Sequence, residues 1–539
     1  MQDSPTDIAE DQESSLSSKS PAEIGILLVS VGIIAICGIL YELLISSITS
    51  YFQGSSITHF SIVIGLFLSF MGVGSYLSKF IRKDLLQWFV RFEILLGIIG
   101  GVSAGLLYAA FSLTPYFYAV AFLLIASLGC LIGLEIPILT RVMREFDSLK
   151  DAVANVLAFD YLGSLVASVA FPLILLPFLG IMRTSFFIGI LNLCVAAVNI
   201  WVFRNELKQV RSLFVNTGLS MLLLIVGFAG SFQINGFFEQ FLFKDEVMLS
   251  KQSTYQHMVL TKRNQDIRLF INGNLQFASV DEHRYHEPLV HVPMTMALKP
   301  EKVLILGGGD GLALREVWKH QEVQHVDLVD LDPEMTHMGT RHPVFTRLNQ
   351  SSMLDPRLTV YNQDAFQFVE KSSNFYDVII IDLPDPNHVG LGKLYAKSFY
   401  ELIRDRLSQG GVMVTQSTSP YFARPAFWCI HETVKSVFPT TVPYQVYVPS
   451  FGQWGFNLAM KTPGRIKAGK EVSPAQDQMT DILGERLFAD STITYQFLAP
   501  NMIPALFTFG ADVAPVPVEV NQMDNQQLVR YYDQSWEQW

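Results

Sequence analysis

The sequence predicts a bundle of transmembrane α-helices, then a small β-domain, then an α/β domain built on a doubly wound parallel sheet. Three observations carry this. The chain has 539 residues, more than one hydrophobic core usually organises. Half of them are hydrophobic, 16% are charged, and the mean hydropathy is +0.31, high for a water-soluble protein. The charges are also unevenly spread. Most of the first 230 residues are apolar, whereas the rest has the composition of a soluble domain.

Residues 1–23 are acidic and serine-rich and read as a disordered tail without the basic start of a cleavable signal peptide. The transmembrane domain is expected over 24–230. Ile24–Tyr41 carries no charge over eighteen residues, enough to span with its flank. Similar runs follow at Ile57–Phe80, Leu85–Phe111, Tyr116–Ile138, Ala152–Leu179, Phe186–Phe203 and Leu213–Ala229, which makes about seven helices. Basic residues cluster in alternate loops: Lys79, Arg82 and Lys83; Arg141, Arg144 and Lys150; Arg204, Lys208 and Arg211. The positive-inside rule puts these loops, and the N-terminus, in the cytoplasm. Seven spans would then carry the C-terminal half outside, so a cytoplasmic catalytic half requires a different count. Glu42, Glu93, Glu135 and Asp160 lie within the apolar runs. Carboxylates at that depth face a partner or a wet cavity; Glu93 is expected to pair with Arg91 or a neighbouring helix and the others to sit near an interface, and a path or docking site for cationic polyamines is the competing reading. The four cysteines form neither a disulfide framework nor a zinc pattern, and no metal is expected.

Over 245–290 the segments Tyr255–Leu260, Ile267–Ile271 and Leu275–Ala278 read as short strands, with Asn272-Gly273 as a hairpin turn. The catalytic domain is expected over 291–465, with 466–539 a weakly patterned extension. Phe497–Phe509 is a candidate lid or acceptor wall there, and the Gln- and Tyr-containing end reads as surface. Strand Lys302–Leu306 runs into Gly307-Gly308-Gly309-Asp310-Gly311, and Leu312–His320 reads as a helix. Val326–Leu331, Leu358–Tyr361, Asp377–Ile381 and Val412–Gln416 are further strands. Strands alternating with helices imply a parallel sheet whose ligands bind beyond the carboxyl ends. Gly307, Gly309 and Gly311, with Asp330, Asp364 and Asp382, fall at that edge.

A glycine loop alone fits a nicotinamide enzyme or a methyltransferase equally well. The acids discriminate. Asp310 inside the loop would repel a pyrophosphate or the carboxylate of S-adenosylmethionine, and would attract a bare ammonium. Asp382 and Asp385 add two carboxylates at the same mouth, suited to a polyamine. The net charge of −11 and the lack of a basic stretch exclude a nucleic-acid partner.

The stretch from about Tyr255 to Ala459 resembles the polyamine aminopropyltransferases, or spermidine synthases, in their membrane-spanning bacterial subset. The motifs are YQHMVL, LFINGNLQFASVDEHRYHEPLVH, VLILGGGDGLALREV, VDLVDLDP, NQDAFQFV, YDVIIIDLPDPN, LYAKSFYELI, GGVMVTQSTSPY and QWGFNLA, in the family's order. The resemblance implies a Rossmann-like catalytic domain similar to S-adenosylmethionine-dependent methyltransferases. It implies transfer of an aminopropyl group from decarboxylated S-adenosylmethionine to an amine, putrescine foremost, releasing 5′-methylthioadenosine. Carried over by position, Gln256, Asp310, Asp330 and Asp364 bind the donor with the glycine loop. Asp382 is the catalytic acid assisted by Tyr285, while His286, Asp385 and Gln453 lie on the amine side. Leu383 and Pro384 replace small polar residues of the family, and Phe451 stands where a pocket tyrosine is expected. The expected setting is a multi-pass protein of the cell membrane with lipid and a polyamine as partners, and a homodimer as a candidate assembly. A membrane polyamine transporter or sensor, and a methyltransferase, are the competing functions.

Overall fold

A computed structural model describes residues 21–53, 56–144, 149–461, 466–467, 470–471 and 476–536. The acidic tail thus lies almost wholly outside the described residues. The chain divides into two compact units, Met1–Lys244 and Asp245–Trp539.

The first unit is helical because its long uncharged runs bury backbone and side chain together. Its helices are α1 (Pro21–Gln53), α2 (Ser56–Leu77), α3 (Leu85–Leu113), α4 (Phe117–Met143), α5 (Leu149–Ala170), α6 (Leu176–Val202), α7 (Val210–Ala229) and α8 (Ser231–Phe243). Among the described residues, six helices are long and apolar enough to cross a membrane, not seven. The difference lies in Lys150–Val202, one helical stretch of 53 residues that takes in two expected runs. No polar loop separates them, only a π-type turn at Phe171–Leu175 and a break at Gly180, whose φ of 70° and ψ of 175° leave the helical region. Many outward side chains are large and apolar: Leu165, Leu219 and Phe178 are 62%, 63% and 78% exposed.

Two loop expectations resolve into contacts. The Arg141 guanidinium, in the last turn of α4, donates to the carbonyls of Ser78 and Ile81, between α2 and α3, at 2.9 and 2.8 Å. Lys208, after α6, pairs with Asp84 at 2.8 Å. The three basic loops therefore gather at one end of the bundle. Of the two partners expected for Glu93, the neighbouring helix supplies one and Arg91 does not: Arg91 reaches Gln209, while Glu93 on α3 and Glu135 on α4, 0% and 1% exposed, interact with each other.

The second unit opens with a four-stranded antiparallel sheet, β1 (Glu246–Gln252), β2 (His257–Arg263), β3 (Asp266–Ile271) and β4 (Asn274–Ala278), in sequential order. Strand β1 was not read from the sequence, since its alternation is weak and only part-buried. The main sheet contains β5 (Lys302–Gly307), β6 (His325–Asp330), β7 (Leu358–Asn362), β8 (Tyr376–Asp382), β9 (Leu407–Gln416), β10 (Thr440–Val448) and β11 (Gly452–Met460), in the order β10-β11-β9-β8-β5-β6-β7. The first five are parallel, but β11 runs antiparallel to β9 and to β10, so the sheet is mixed rather than wholly parallel. The two late strands are joined by a tight hairpin that the glycine-rich motif around Gly452 hid from a βαβ reading. Chain order reverses between β5 and β8, and this switch point opens a crevice at the strands' carboxyl ends.

Candidate active site

The strand register levels the acids. Gly307 pairs with Asp382 across β5 and β8, and Asp330 with Asn362 across β6 and β7. Asp382 and Asp330 thus lie two strand spacings apart, roughly 10 Å. Buried Val, Ile and Leu on both faces of β5 and β8 make the platform rigid.

The glycine loop is built around Asp330. Its two carboxylate oxygens accept from the backbone N–H groups of Gly309 at 3.0 Å and Asp332 at 2.9 Å. A Cβ on Gly309 would stand 2.5 Å from the same carboxylate, so only glycine permits this approach. Burial raises the pKa of Asp330 to about 6 against those backbone bonds. Asp310 accepts the N–H of Leu312 on Oδ1 at 2.9 Å, and burial likewise lifts it to about 6. Gln256 sits in a turn anchored by Ser253, whose hydroxyl donates to Asp332 at 2.7 Å, beside the Asp330 strand end.

Asp364 differs from the other acids. It caps the helix Ala365–Lys371 through the Gln367 N–H at 3.0 Å and pairs with Lys393 at 2.6 Å. Burial would raise its pKa, but Lys393 and the backbone N–H groups hold it below the ordinary value.

At the end of β8, the Tyr285 hydroxyl donates to Asp382 Oδ1 at 2.6 Å. Tyr285 comes from the helix His283–Met296, and its ring packs edge-on to Phe451 at 6.3 Å and to Trp454 at 6.5 Å. Burial raises the pKa of Asp382, opposed by the nearby His286 ring and by the Tyr285 bond. Burial would lower His286, yet its Nδ1 contact with Glu282 at 2.7 Å, backed by Arg315, keeps its pKa raised. Asp385 accepts from Gln416 on Oδ1 at 3.3 Å, and from Thr418 and Tyr532 on Oδ2 at 3.0 and 2.9 Å. Burial lifts it to about 6 despite these donors. The backbone carbonyls of Leu383 and Pro384 accept the Tyr395 hydroxyl at 3.3 and 3.0 Å, which fixes the loop between the two acids. Gln453 bonds across its hairpin to Gln445 at 2.6 Å, and no hydrogen bond joins it to the acids.

Five sequence-derived positions therefore converge on one crevice: Asp310, Asp330, Asp382, Asp385 and Tyr285. Sequence reasoning missed Lys393, Tyr395, Gln416, Thr418 and Tyr532. Gln416 and Thr418 lie within a quoted motif, but nothing in the local pattern marks Tyr532. It belongs to the terminal helix Gln527–Trp536, which is not plain surface: Leu528 is fully buried and Tyr532 reaches Asp385.

What this arrangement can do follows from its charge. Among the described residues, Asp310, Asp330, Asp382 and Asp385 form no ion pair with Lys or Arg, their partners being backbone N–H, hydroxyl and amide groups. No group of three metal-ligating side chains occurs among the described residues. Four carboxylates without a Lys or Arg partner, with only the His286 ring near Asp310 and Asp382, make a receptor for an organic polycation.

Comparison with known proteins agrees. The family model described as the spermine/spermidine synthase domain matches residues 282–468. The chain is 44% identical over 510 residues to the polyamine aminopropyltransferase of Leptospira interrogans serogroup Icterohaemorrhagiae serovar copenhageni (strain Fiocruz L1-130), covering 95% of this chain and 98% of that protein. It is 41% identical over 518 residues to polyamine aminopropyltransferase 2 of Ralstonia nicotianae (strain ATCC BAA-1114 / GMI1000), with coverages of 95% and 98%. A solved spermidine synthase in complex with the transition-state analogue AdoDATO aligns at 26% identity and a TM-score of 0.42, over 49% of this chain and 86% of that one. The two curated relatives match along nearly the whole chain, helical unit included, and the chain belongs to the polyamine aminopropyltransferase family.

Proposed function

We propose that the protein moves the aminopropyl group of decarboxylated S-adenosylmethionine to putrescine, giving spermidine and 5′-methylthioadenosine. The observation that carries this is the set of four carboxylates lacking a Lys or Arg partner among the described residues. Asp330 offers its remaining lone pairs to a ribose diol. Asp310 suits the donor's ammonium and disfavours a carboxylate there, which argues for the decarboxylated donor over S-adenosylmethionine itself. Gln256 and the glycine backbone line the donor side. Asp364, committed to Lys393 and a helix cap, serves the adenine side through its placement rather than as a free anion.

On the amine side, Asp382 accepts a proton from the attacking nitrogen while Tyr285 holds the carboxylate's orientation. The nitrogen lone pair forms the new C–N bond as the C–S bond breaks, and its electrons pass to sulfur. Because the sulfonium is already a good leaving group, orientation supplies much of the rate. Asp385 takes the distal ammonium of the acceptor, with His286 and Gln453 on the same side and Phe451 as an apolar wall.

Asp382→Asn is expected to lower kcat by roughly 10²–10⁴-fold, as loss of a general base does. The donor KM should stay nearly unchanged. Methylthioadenosine formation by the full-length protein reads this directly, and wild-type turnover in that variant would remove Asp382 from its role. Calorimetry with both donor forms checks Asp310, since equal affinity would contradict the charge argument.

We further propose that the first unit lies in the cell membrane as a multi-pass domain. Outward Leu and Phe along α5, α6 and α7 exceed what a water-facing surface carries. A 53-residue helical stretch is roughly 80 Å long, more than two bilayer cores, so the Gly180 break supports two passes there. The clustered basic loops favour a cytoplasmic end. A cytoplasmic catalytic unit fits its donor but requires one pass fewer than the seven this count gives, and reporter fusions at the loops and after residue 536 decide between the two.

A further inference from the structure

Asp385 is oriented by three residues from two separate parts of the chain. Gln416 ends β9, Thr418 follows it, and Tyr532 arrives from 147 residues downstream in sequence. Thr418 is held at φ 58°, a conformation that β-branched residues rarely adopt, and its N–H is fixed by Gln416 Oε1 at 3.0 Å. Two hydroxyls thus meet on Oδ2 of one carboxylate.

The segment bearing Tyr532 is tied to the loop that bears Asp385. Asn521 donates to the carbonyls of Gly392 and Tyr395 at 3.1 and 3.2 Å, and its own carbonyl accepts the Lys397 N–H at 2.9 Å. Leu528 is buried in the core beside β8 and β9. Trp536 stacks on Phe422 with centroids 5.8 Å apart and planes at 17°, and Tyr532 lies 6.0 Å from Trp536. Tyr395 then closes the circuit by bonding the carbonyls of Leu383 and Pro384, between the two acids.

We infer that Tyr532 is a positioning residue for Asp385, and that the terminal helix thereby sets which amine the pocket accepts. The inference rests on the aminopropyl-transfer reading and deepens its acceptor side. A carboxylate held on both oxygens cannot rotate to follow its ligand. The distal ammonium must come to it, at one distance from the nitrogen that attacks. A four-carbon diamine is then discriminated from its three- and five-carbon analogues by spacing.

The test uses the full-length protein in detergent, with methylthioadenosine formation measured across diamines of three, four and five carbons. Tyr532→Phe is expected to raise the KM of the preferred diamine roughly ten-fold, the effect of losing one hydrogen bond to a charged group. The donor KM should stay within about two-fold, and selectivity among the diamines should fall. A purely structural role would move donor and acceptor constants together and leave selectivity intact, which would overturn the inference. In an Asp385→Asn background the same change should add less than about two-fold, because both act through one carboxylate; full additivity overturns it as well. Should Tyr532→Phe lose donor binding by calorimetry, Trp536→Leu decides: it removes the ring packed on Phe422 and Tyr532, which loosens the helix end while the Tyr532 hydroxyl group is retained. Reduced diamine selectivity at an unchanged donor KM supports the inference, and unchanged selectivity refutes it. Wild-type protein that forms no methylthioadenosine with any amine would instead refute aminopropyl transfer itself.

Discussion

Asp310, Asp330 and Asp385 are raised to about 6 chiefly by burial, from an unfolded value of about 3.9. Such acids favour the folded state fully below the unfolded value, and that contribution is lost as pH rises through about 6. Above that pH the ligand-free crevice holds uncompensated negative charge, which a cationic amine relieves. The increase in Tm on adding a diamine should therefore be larger at about pH 7.5 than at about pH 5. Thermal melts at both values check this, and an equal or smaller shift at the higher pH would count against a charge-driven pocket. Asp364 should not contribute to that difference, because Lys393 already compensates it.

At the level of elements, the crevice depends on a turn between β5 and the helix Leu312–Val317 that only glycines make. Gly309→Ala would force a Cβ to 2.5 Å from Asp330 Oδ2 and displace the acid from its backbone donors. We expect the donor KM to rise roughly ten-fold or more, with the acceptor KM little changed. Titration of each substrate separately measures this, and a parallel loss on both sides would show that the loop supports the whole site. Much of this element was legible beforehand, since a short apolar strand running into GGGDG allows few alternatives. Strands β10 and β11 were not, because a parallel βαβ rhythm does not announce an antiparallel hairpin added at the edge. Helix ends in the first unit were equally hard to read: at Gly180 one residue's dihedral angles replace the polar loop that would have marked a boundary.

For the whole molecule, the two units have separate hydrophobic cores, one formed by buried residues Leu27 to Leu224 and the others by residues from Met258 onward. A unit with its own core can fold alone. Residues 245–539 expressed by themselves are therefore expected to be soluble and to retain aminopropyl transfer, with a donor KM within about three-fold of the full chain. Circular dichroism and the product assay check this; an unfolded fragment would show that the helical unit is needed for the fold.

The sequence by itself determined the row of acids at the strand ends. Asp310, Asp330 and Asp382 each stand within a few residues of a strand end, and alternation of strands with helices brings such ends to one edge of a sheet. Local pattern also revealed the apolar helices, because hydrophobic length is a property of contiguous residues. Only the tertiary structure decided which groups complete these acids. Lys393 on Asp364, the Tyr395 bonds to Leu383 and Pro384, and above all Tyr532 on Asp385 join residues whose separation in the chain carries no periodicity. Their meeting depends on packing of the terminal helix, which no local pattern encodes.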